Sequence, residues 1–253
     1  MKLGLENKVA VVTGAARGIG KEIALALARE KVKVVIPDLN LEGATEVKEE
    51  ILAMGIGAQA FKTDITNPQS VAEMVAGTMD EFGRIDILVN NACAPIRRIP
   101  FLELDMEHWD QVIKVNLYGT FNCCQAVAKA MKVNKGGTII NISSFAAYLP
   151  AAGFAAYSCS KGGIELLSRT LTGELGQYGI RVIYIRPGVI ETEITKQWHE
   201  GEVGERMMKP IPIDRFGEPR EVGELIAFLS SDAGSYINGG PIPIDGGKYA
   251  VQL

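Results

Sequence analysis

Short runs of β-branched and aliphatic residues alternate along the chain with longer segments in which apolar residues recur every three or four positions. The first run is KVAVVTGA, the helical pattern GKEIALALARE follows it, and KVKVVIPD comes next. This order predicts a β-α-β unit. Because the same alternation continues toward the end of the chain, we expect parallel strands joined by crossover helices.

Five more strand-like runs follow, and these are AQAFKTD, RIDILVNNA, GGTIINISS, GIRVIYIRPG and GGPIPIDGG. Seven strands separated mostly by helical segments predict an α/β fold with a doubly wound, seven-stranded parallel sheet and helices on both faces. The runs VAVV, VVI and ILV lack polar alternation, which is typical of strands buried on both faces. No linker or repeat divides the chain, so we predict a single domain over residues 1–253.

One stretch, residues 190–212, departs from this alternation. Its sequence, IETEITKQWHEGEVGERMMKPIP, mixes charges, a tryptophan, a methionine pair and two prolines between the sixth strand and the last helix. A long irregular insertion at this place predicts a substrate lid, and an ordinary surface insertion is the alternative.

The composition is that of a globular protein, with 47% hydrophobic and 22% charged residues and a net charge of -4. A mildly acidic chain without runs of basic residues offers no surface for phosphate neutralisation, so no nucleic-acid partner is expected. Charged residues at Glu6 and Lys8 exclude a signal core, and the apolar stretch 145–159 is too short to cross a bilayer. We therefore expect a cytoplasmic protein without a membrane partner, in which 145–159 lines the core or a pocket.

The cysteines and histidines do not form a metal-binding pattern. The four cysteines show no CxxC spacing, and the two histidines, His108 and His199, lie far from them in sequence. Neither a zinc site nor a disulfide framework is indicated, and the cysteines are expected to be small buried hydrophobes. We expect His108 on a helix surface and His199 in the lid.

A glycine-rich loop, TGAARGIG, joins the first strand to the first helix. Gly14, Gly18 and Gly20 let the backbone turn tightly, and the helix N-terminus offers free N–H groups to a pyrophosphate. Asp38 follows Gly20 by eighteen positions, at the end of the second strand, where a carboxylate binds an adenosine ribose and repels a 2'-phosphate. This favours NAD, although Arg17 within the loop is a candidate contact for the 2'-phosphate of NADP.

The segment YSCSK places Tyr157 and Lys161 four residues apart. In a helix, side chains at positions i and i+4 lie on the same face, so the two residues form a candidate proton-transfer pair.

Together, TGxxxGxG at 13–20, NNA at 90–92 and YxxxK at 157–161 resemble the short-chain dehydrogenase/reductase family of about 250 residues. The resemblance covers essentially the whole chain and extends to KVNLYG, NISS, RPGVIET and IDGG. It implies a Rossmann-like fold and an oxidoreductase that transfers a hydride between a nicotinamide cofactor and a secondary alcohol or ketone. Similar enzymes are usually homotetramers.

The resemblance also implies roles for individual residues. Tyr157 corresponds to the acid/base, Lys161 to the residue that holds the nicotinamide ribose, Ser144 to the group that orients the substrate oxygen, and Asn116 to part of a water-linked proton path. Lys161 and an oxidised nicotinamide together should lower the pKa of the Tyr157 phenol. The expected cofactor-binding residues are Gly14, Arg17, Gly18, Ile19, Gly20, Asp38, Asp64, Ile65, Asn90, Ala92, Tyr157, Lys161, Pro187, Gly188, Ile190 and Thr192.

Asp64 and Ile65 should contact adenine, Asn90 should support the loop that carries the cofactor ribose, and Thr192 should bind the carboxamide. The expected substrate pocket includes Phe145, Ala146, Phe154 and Trp198. Arg97 and Arg98 lie near its mouth, either as anion contacts or as a solvated pair.

This chain departs from the family pattern at three places, where Cys93, Cys159 and the pair Gly240–Pro241 replace more usual residues.

Four other functions are alternatives to the dehydrogenase. A 3-oxoacyl-[acyl-carrier-protein] reductase that uses NADPH is the main alternative, and Asp38 weakens it. A serine hydrolase would need a G-x-S-x-G elbow, which the chain lacks, and a nucleotide-sugar epimerase would need a glycine at position 17 and a longer C-terminal domain. A non-catalytic NAD-binding protein would not require Ser144, Tyr157 and Lys161 together.

Overall fold

A seven-stranded parallel sheet forms the centre of the computed structural model, which describes residues 3–193, 195 and 201–250. The strands are β1 (Val9–Val12), β2 (Lys33–Asp38), β3 (Ala58–Lys62), β4 (Ile87–Asn90), β5 (Gly137–Ile142), β6 (Ile180–Pro187) and β7 (Gly239–Ile244). Their order across the sheet is β3-β2-β1-β4-β5-β6-β7. Each strand lies within a run predicted from the sequence, so the predicted doubly wound, single-domain Rossmann-like fold is confirmed.

Eight α-helices connect and flank these strands within the described residues. They are α1 (Gly18–Arg29), α2 (Leu41–Ala53), α3 (Pro68–Phe82), α4 (Met106–Ile113), α5 (Gly119–Val133), α6 (Ala155–Leu175), α7 (Gly201–Met208) and α8 (Pro219–Ser230). None of the helices in this part of the chain is long and apolar enough to cross a membrane.

The sheet divides the core into two layers. Alternate residues of β1 point to opposite faces, so Ala10 and Val12 pack in the layer of α1, α2 and α8, whereas Val9 and Val11 pack in the layer of α3 and α5. All four β1 residues are buried, which explains why the strand is apolar throughout rather than alternating.

The strand order reverses between β1 and β4. Val11 of β1 pairs with Val35 of β2 on one side and with Leu88 of β4 on the other. The connections therefore leave in opposite directions at this point, and a crevice opens outside the carboxyl ends of these strands. Open α/β sheets bind their ligands in such crevices.

A chain of polar side chains crosses the core between β4, β5 and α6. The amide of Asn90 donates to Asn141 Oδ1 at 2.8 Å, and Asn141 Nδ2 donates to Ser168 Oγ at 2.8 Å. All three residues are buried, so each hydrogen bond removes a desolvation penalty and fixes how α6 sits on the sheet.

The prediction that residues 145–159 line the core or a pocket is correct only in part. Ala146 and Ala156 are buried, but Tyr148 and Leu149 are exposed because the chain turns outward between β5 and α6.

We expect Asn141→Ala to lower the free energy of unfolding by about 1–3 kcal/mol, because it leaves the Asn90 amide and the Ser168 hydroxyl buried without this partner. Urea denaturation at one fixed protein concentration measures the effect. Gln125→Ala, an exposed change on α5, is the control and should leave the midpoint within about 0.5 kcal/mol of the native value. Equal midpoints for both variants would contradict a stabilising role for the buried polar chain.

Candidate active site

Most of the predicted site residues follow the carboxyl ends of the parallel strands. Gly14 follows β1, Asp38 ends β2, Ala92 follows β4, Ser144 follows β5 and Gly188 follows β6. Because these strand ends meet at one edge of the sheet, residues far apart in sequence come together there.

The glycine loop passes very close to the loop that follows β4. Gly14 has φ of 66°, and a Cβ atom built on it would lie 2.7 Å from Ala92 Cα. Gly18 has φ of 59°, and a Cβ atom built on it would lie 3.9 Å from Thr192 Cγ2. Any side chain at Gly14 would therefore clash, and the backbone at the start of α1 stays open to a ligand.

Asn91 holds this glycine loop in place. Its Nδ2 donates to the carbonyls of Thr13 at 3.1 Å and Gly14 at 2.9 Å, and Thr13 Oγ1 accepts from the N–H groups of Asn91 and Ala92. Asn90 instead faces the core, where it bonds to Asn141. The sequence interpretation missed Asn91, although it is the middle residue of the NNA motif that carried the resemblance.

Asp38 lies against the glycine loop. Its Oδ2 accepts from Ala16 N at 3.1 Å, and its Oδ1 accepts from Asn40 N at 2.9 Å. The carboxylate is half-buried and fixed at the end of β2, whereas Arg17 is exposed. The role of Asp38 beside an adenosine ribose stays a prediction.

Asp64 and Ile65 form the next wall of the crevice, after β3. Asp64 Oδ1 accepts from both the N–H and the hydroxyl of Thr66, and the Ile65 carbonyl accepts from Asn122 Nδ2 at 3.0 Å. The Ile65 side chain packs against Gly119, where an added Cβ atom would lie 2.5 Å away.

Ser144, Tyr157 and Lys161 come together between the end of β5 and the first turns of α6. The Lys161 ammonium lies 5.7 Å from the centre of the Tyr157 ring and donates to the Ile142 carbonyl at 2.8 Å. Ser144 Oγ accepts from Ala146 N at 3.2 Å, so its own hydrogen is free for another acceptor. Ser144 also hydrogen-bonds the Tyr157 side chain.

The pKa of Tyr157 is raised in this structure. Burial is the largest cause, the nearby Cys93 thiol raises the pKa further, and the Ser144 hydrogen bond lowers it. Burial disfavours the phenolate because it removes the charged form from water. The lowering that we expect from Lys161 with an oxidised nicotinamide stays a prediction.

Asn116 lies in a π-helical turn, Lys114–Tyr118, between α4 and α5. Its Oδ1 accepts from Ala94 N at 2.8 Å, and its Nδ2 donates to Ser160 Oγ, which in turn donates to the Tyr157 carbonyl. Turns of this type are frequent at functional sites. Asn116 thus connects the loop after β4 to the Tyr157 helix.

The loop after β6 closes the other side of the crevice. Gly188 N donates to the Ile244 carbonyl at 2.9 Å, which ties the turn after Pro187 to β7. Ile190 is buried, and its carbonyl accepts from the Thr195 hydroxyl, which also lies 3.0 Å from the Thr192 hydroxyl. This loop approaches the start of α1 through Thr192 and Gly18.

The predicted apolar pocket has a wall that the sequence did not indicate. Phe145, which follows Ser144, stacks on Tyr249 from the C-terminal segment at 4.2 Å between ring centres. Ala146 is buried and Phe154 is half-buried, whereas Trp198 lies outside the described residues. No sequence signal linked Tyr249 to Phe145, because their contact spans more than a hundred positions.

Two expectations about single residues are wrong. His108 is 91% buried rather than on the helix surface, because its position on the short α4 faces the loop after β4. Cys123 and Cys124 are buried as expected, but Cys93 and Cys159 are exposed. His199 lies outside the described residues.

Comparisons with known proteins agree with this fold. A family model described as enoyl-(acyl carrier protein) reductase matches residues 14–248. D-threitol dehydrogenase of Mycolicibacterium smegmatis is 41% identical over 248 residues, covering 98% of this chain and 95% of that protein. The 3-oxoacyl-[acyl-carrier-protein] reductase of Synechocystis sp. is 40% identical over 245 residues, covering 96% and 97%. The structure of NAD+-bound xylitol dehydrogenase has a TM-score of 0.92 at 30% identity, covering 96% of this chain and 99% of that one.

The fold and these relatives define a nicotinamide-dependent oxidoreductase that acts on the CH–OH group of an alcohol or on the corresponding ketone, with NAD or NADP as its cofactor. The chain belongs to the short-chain dehydrogenase/reductase family.

We expect N-ethylmaleimide to inhibit the enzyme through Cys93. This exposed thiol directly follows Ala92 at the crevice, and it lies close enough to Tyr157 to raise the pKa of the phenol. NAD+ at ten times its Kd should slow the inhibition about tenfold if the cofactor covers the thiol. Inactivation rates measure this.

Cys93→Ser should resist the reagent, whereas Cys159→Ser, which removes the other exposed thiol, should remain sensitive. Mass spectrometry that finds Cys93 unmodified in the native protein would contradict the expectation.

Proposed function

We propose that the chain catalyses the NAD-linked interconversion of a secondary alcohol and its ketone, with Tyr157 as the acid/base. The observation that carries the proposal is the convergence of Ser144, Tyr157 and Lys161 at the carboxyl edge of the sheet. The glycine loop lies at the same edge, and it has no room for a Cβ atom at Gly14. A positioned phenol, a hydroxyl and an ammonium are what proton transfer to a substrate oxygen requires.

The residues around the crevice fit a dinucleotide. The N–H groups at the start of α1, together with Gly14, Gly18, Ile19 and Gly20, would hold the pyrophosphate. Asp38 would bind the adenosine ribose and Asp64 with Ile65 the adenine. Lys161 would bind the second ribose. The remaining contacts would come from Ala92, Pro187, Gly188, Ile190 and Thr192, and Asn90 would support the loop after β4 from the core. When bound, the nicotinamide supplies the hydride donor or acceptor.

Ser144 and Tyr157 would act together on the substrate oxygen. The Ser144 hydroxyl accepts from Ala146 N, which leaves its own hydrogen free for another acceptor. In ketone reduction the Tyr157 hydroxyl gives up its proton as the substrate oxygen becomes negative, and Ser144 stabilises that charge. In oxidation the proton moves the opposite way. Asn116 and Ser160 would hold the helix that carries Tyr157.

A second candidate function is reduction of a 3-oxoacyl thioester on acyl carrier protein with NADPH. The Synechocystis relative favours it, and exposed Arg17 offers a contact for a 2'-phosphate. Asp38 opposes it, since a fixed carboxylate at the end of β2 repels that phosphate. The D-threitol and xylitol dehydrogenase relatives favour a small alcohol.

The assembly and location belong to the same proposal. Tyr118, Phe121 and Leu166 are exposed apolar residues on or beside α5 and α6, and a homotetramer would cover them. We place the enzyme in the cytoplasm. We assign it no nucleic-acid partner, because its net charge of -4 offers no basic surface for phosphates. The segment 190–212, which includes α7, would act as the substrate lid.

We expect Tyr157→Phe to bind NAD+ nearly as the native enzyme does, yet to lose on the order of 10²- to 10⁴-fold in kcat, because only the acid/base hydroxyl is deleted. Lys161→Ala should weaken both binding and turnover, because the ammonium would hold the ribose as well. Steady-state kinetics and cofactor titration separate the two effects. A Tyr157→Phe enzyme that kept more than about a tenth of native kcat would exclude Tyr157 as the principal acid/base.

We expect the native enzyme to prefer NAD over NADP in kcat/KM, and Asp38→Ala to narrow that preference, because the carboxylate both binds the ribose and repels the phosphate. Rates with the two cofactors at saturating alcohol measure the ratio. Arg17→Gln is the matched change in the same loop and should lower efficiency with NADP only. Equal efficiencies in the native enzyme would rule out this role for Asp38.

A further inference from the structure

A small cavity adjoins Tyr157. Its volume is about 10 Å³, and the loop after β4, helix α4 and the start of α6 form its walls. The lining residues are Pro95, Ile96, Arg97, Ile99, Leu104, His108, Val112, Gly153, Phe154, Ala155, Ala156 and Tyr157. Polar and apolar groups share this lining, and the polar groups determine what it can bind.

The first polar feature is the uncapped start of α6. The N-cap residue Phe154 provides no side-chain hydrogen bond. Among the described residues, the N–H groups of Ala155, Ala156 and Tyr157 have no acceptor. The first N–H groups of a helix require a partner from outside the helix. The cavity therefore presents donors that the protein leaves unpaired.

The second, independent feature is the His108 side chain. It is 91% buried and lines the cavity, and its Nδ1 has no hydrogen-bond partner within the described part of the chain. Leaving a buried polar atom unpaired costs about 1–3 kcal/mol, so such atoms usually meet a ligand or a water molecule. Residues with an unpaired imidazole nitrogen and with unpaired N–H groups thus line one small space.

The walls of this space are fixed rather than loose. Ile99 N donates to the Gly153 carbonyl at 2.9 Å, and Arg98 Nε donates to the Ala152 carbonyl at 3.2 Å. These bonds join the loop after β4 to the loop before α6. The volume of the cavity is consequently a property of the fold.

The size and the chemistry of the cavity select one kind of group. A volume of about 10 Å³ is close to the space that one water-sized oxygen occupies, which is too little for both oxygens of a carboxylate. A hydroxyl both accepts and donates a hydrogen bond. It can therefore accept from an N–H group of α6 and form a second bond with His108, whichever nitrogen carries the proton.

We propose that this cavity is a subsite for the second hydroxyl of a vicinal diol or polyol, whose first hydroxyl reacts at Tyr157. The assignment rests on the proposed function, because Tyr157 borders the cavity and carries the acid/base hydroxyl. His108 is then a specificity-determining residue.

The test compares 2-butanol with the separate stereoisomers of 2,3-butanediol as substrates for NAD+ reduction. The native enzyme should show kcat/KM at least about tenfold higher for its best diol, as expected for a hydrogen-bonded group that otherwise leaves a buried partner unpaired. His108→Leu, which keeps the volume, should remove about this tenfold preference and leave 2-butanol within about twofold.

Three variants keep the test decisive. His108→Asn retains a polar group and should restore part of the preference. Glu107→Gln, an exposed change on the same helix, should leave it intact. Ala155→Val fills the cavity while His108 is kept, and it should abolish the preference even if His108→Leu fails to fold.

Three outcomes would overturn the subsite: no diol preference in the native enzyme, equal losses on both alcohols in His108→Leu, or better turnover of racemic 3-hydroxybutyrate than of the diol. If no alcohol is oxidised, the proposed function fails, and saturation-transfer NMR with 2,3-butanediol tests the cavity by itself. A signal that His108→Leu removes supports the subsite, whereas an absent or unchanged signal overturns it.

Discussion

Burial of both faces of the parallel sheet is the constraint on which the site depends. The backbone groups of the inner strands are paired with neighbouring strands, and side chains such as Val12 and Val11 pack under helices on opposite faces. Polar chemistry is therefore concentrated at the carboxyl edge, where the strands give way to loops. The reversal of strand order between β1 and β4 opens a crevice there, and the glycine loop, Asp38 and Ser144 all border it.

Buried hydrogen bonds turn this edge into a defined geometry. Asn91 fixes the glycine loop to the end of β4. Asn116 fixes the loop after β4 to the helix that carries Tyr157. Each of these amides satisfies backbone groups that would otherwise be buried unpaired, at about 1–3 kcal/mol per group. The bonds that stabilise the fold thus also set where the cofactor and the substrate oxygen would lie.

Local pattern was enough to predict the strands and the motif residues, because β-branched runs and glycine spacing are properties of short segments. The local pattern did not predict side-chain positions that depend on which face of a strand a residue occupies or on contacts between distant parts of the chain. Adjacent residues of a strand point to opposite faces, so the pattern NNA did not reveal that Asn91, rather than Asn90, bonds to the glycine loop. His108 was misplaced because its burial depends on which loop packs over α4, and the Tyr249–Phe145 contact joins residues more than a hundred positions apart.

An ion pair beneath the proposed catalytic residues contributes more to their positions than to the stability of the fold. Glu165 is 96% buried, and it accepts two bonds from Arg186, at 2.7 and 2.6 Å, and one from the Ser143 hydroxyl at 2.8 Å. The Glu165 hydrogen bond raises the pKa of Arg186. Desolvation of two charges offsets much of their attraction, so such a pair adds little net stability over an apolar replacement.

The pair does connect three segments of the chain, namely the end of β5, helix α6 and strand β6. Ser143 directly precedes Ser144, Arg186 precedes Pro187, and Glu165 lies one helical turn beyond Lys161. A shift of Arg186 or Glu165 would leave a buried charge unpaired, at a cost of about 3–5 kcal/mol. The distance from the proposed oxyanion-stabilising hydroxyl to the proposed proton donor is therefore maintained by groups that touch neither substrate nor cofactor.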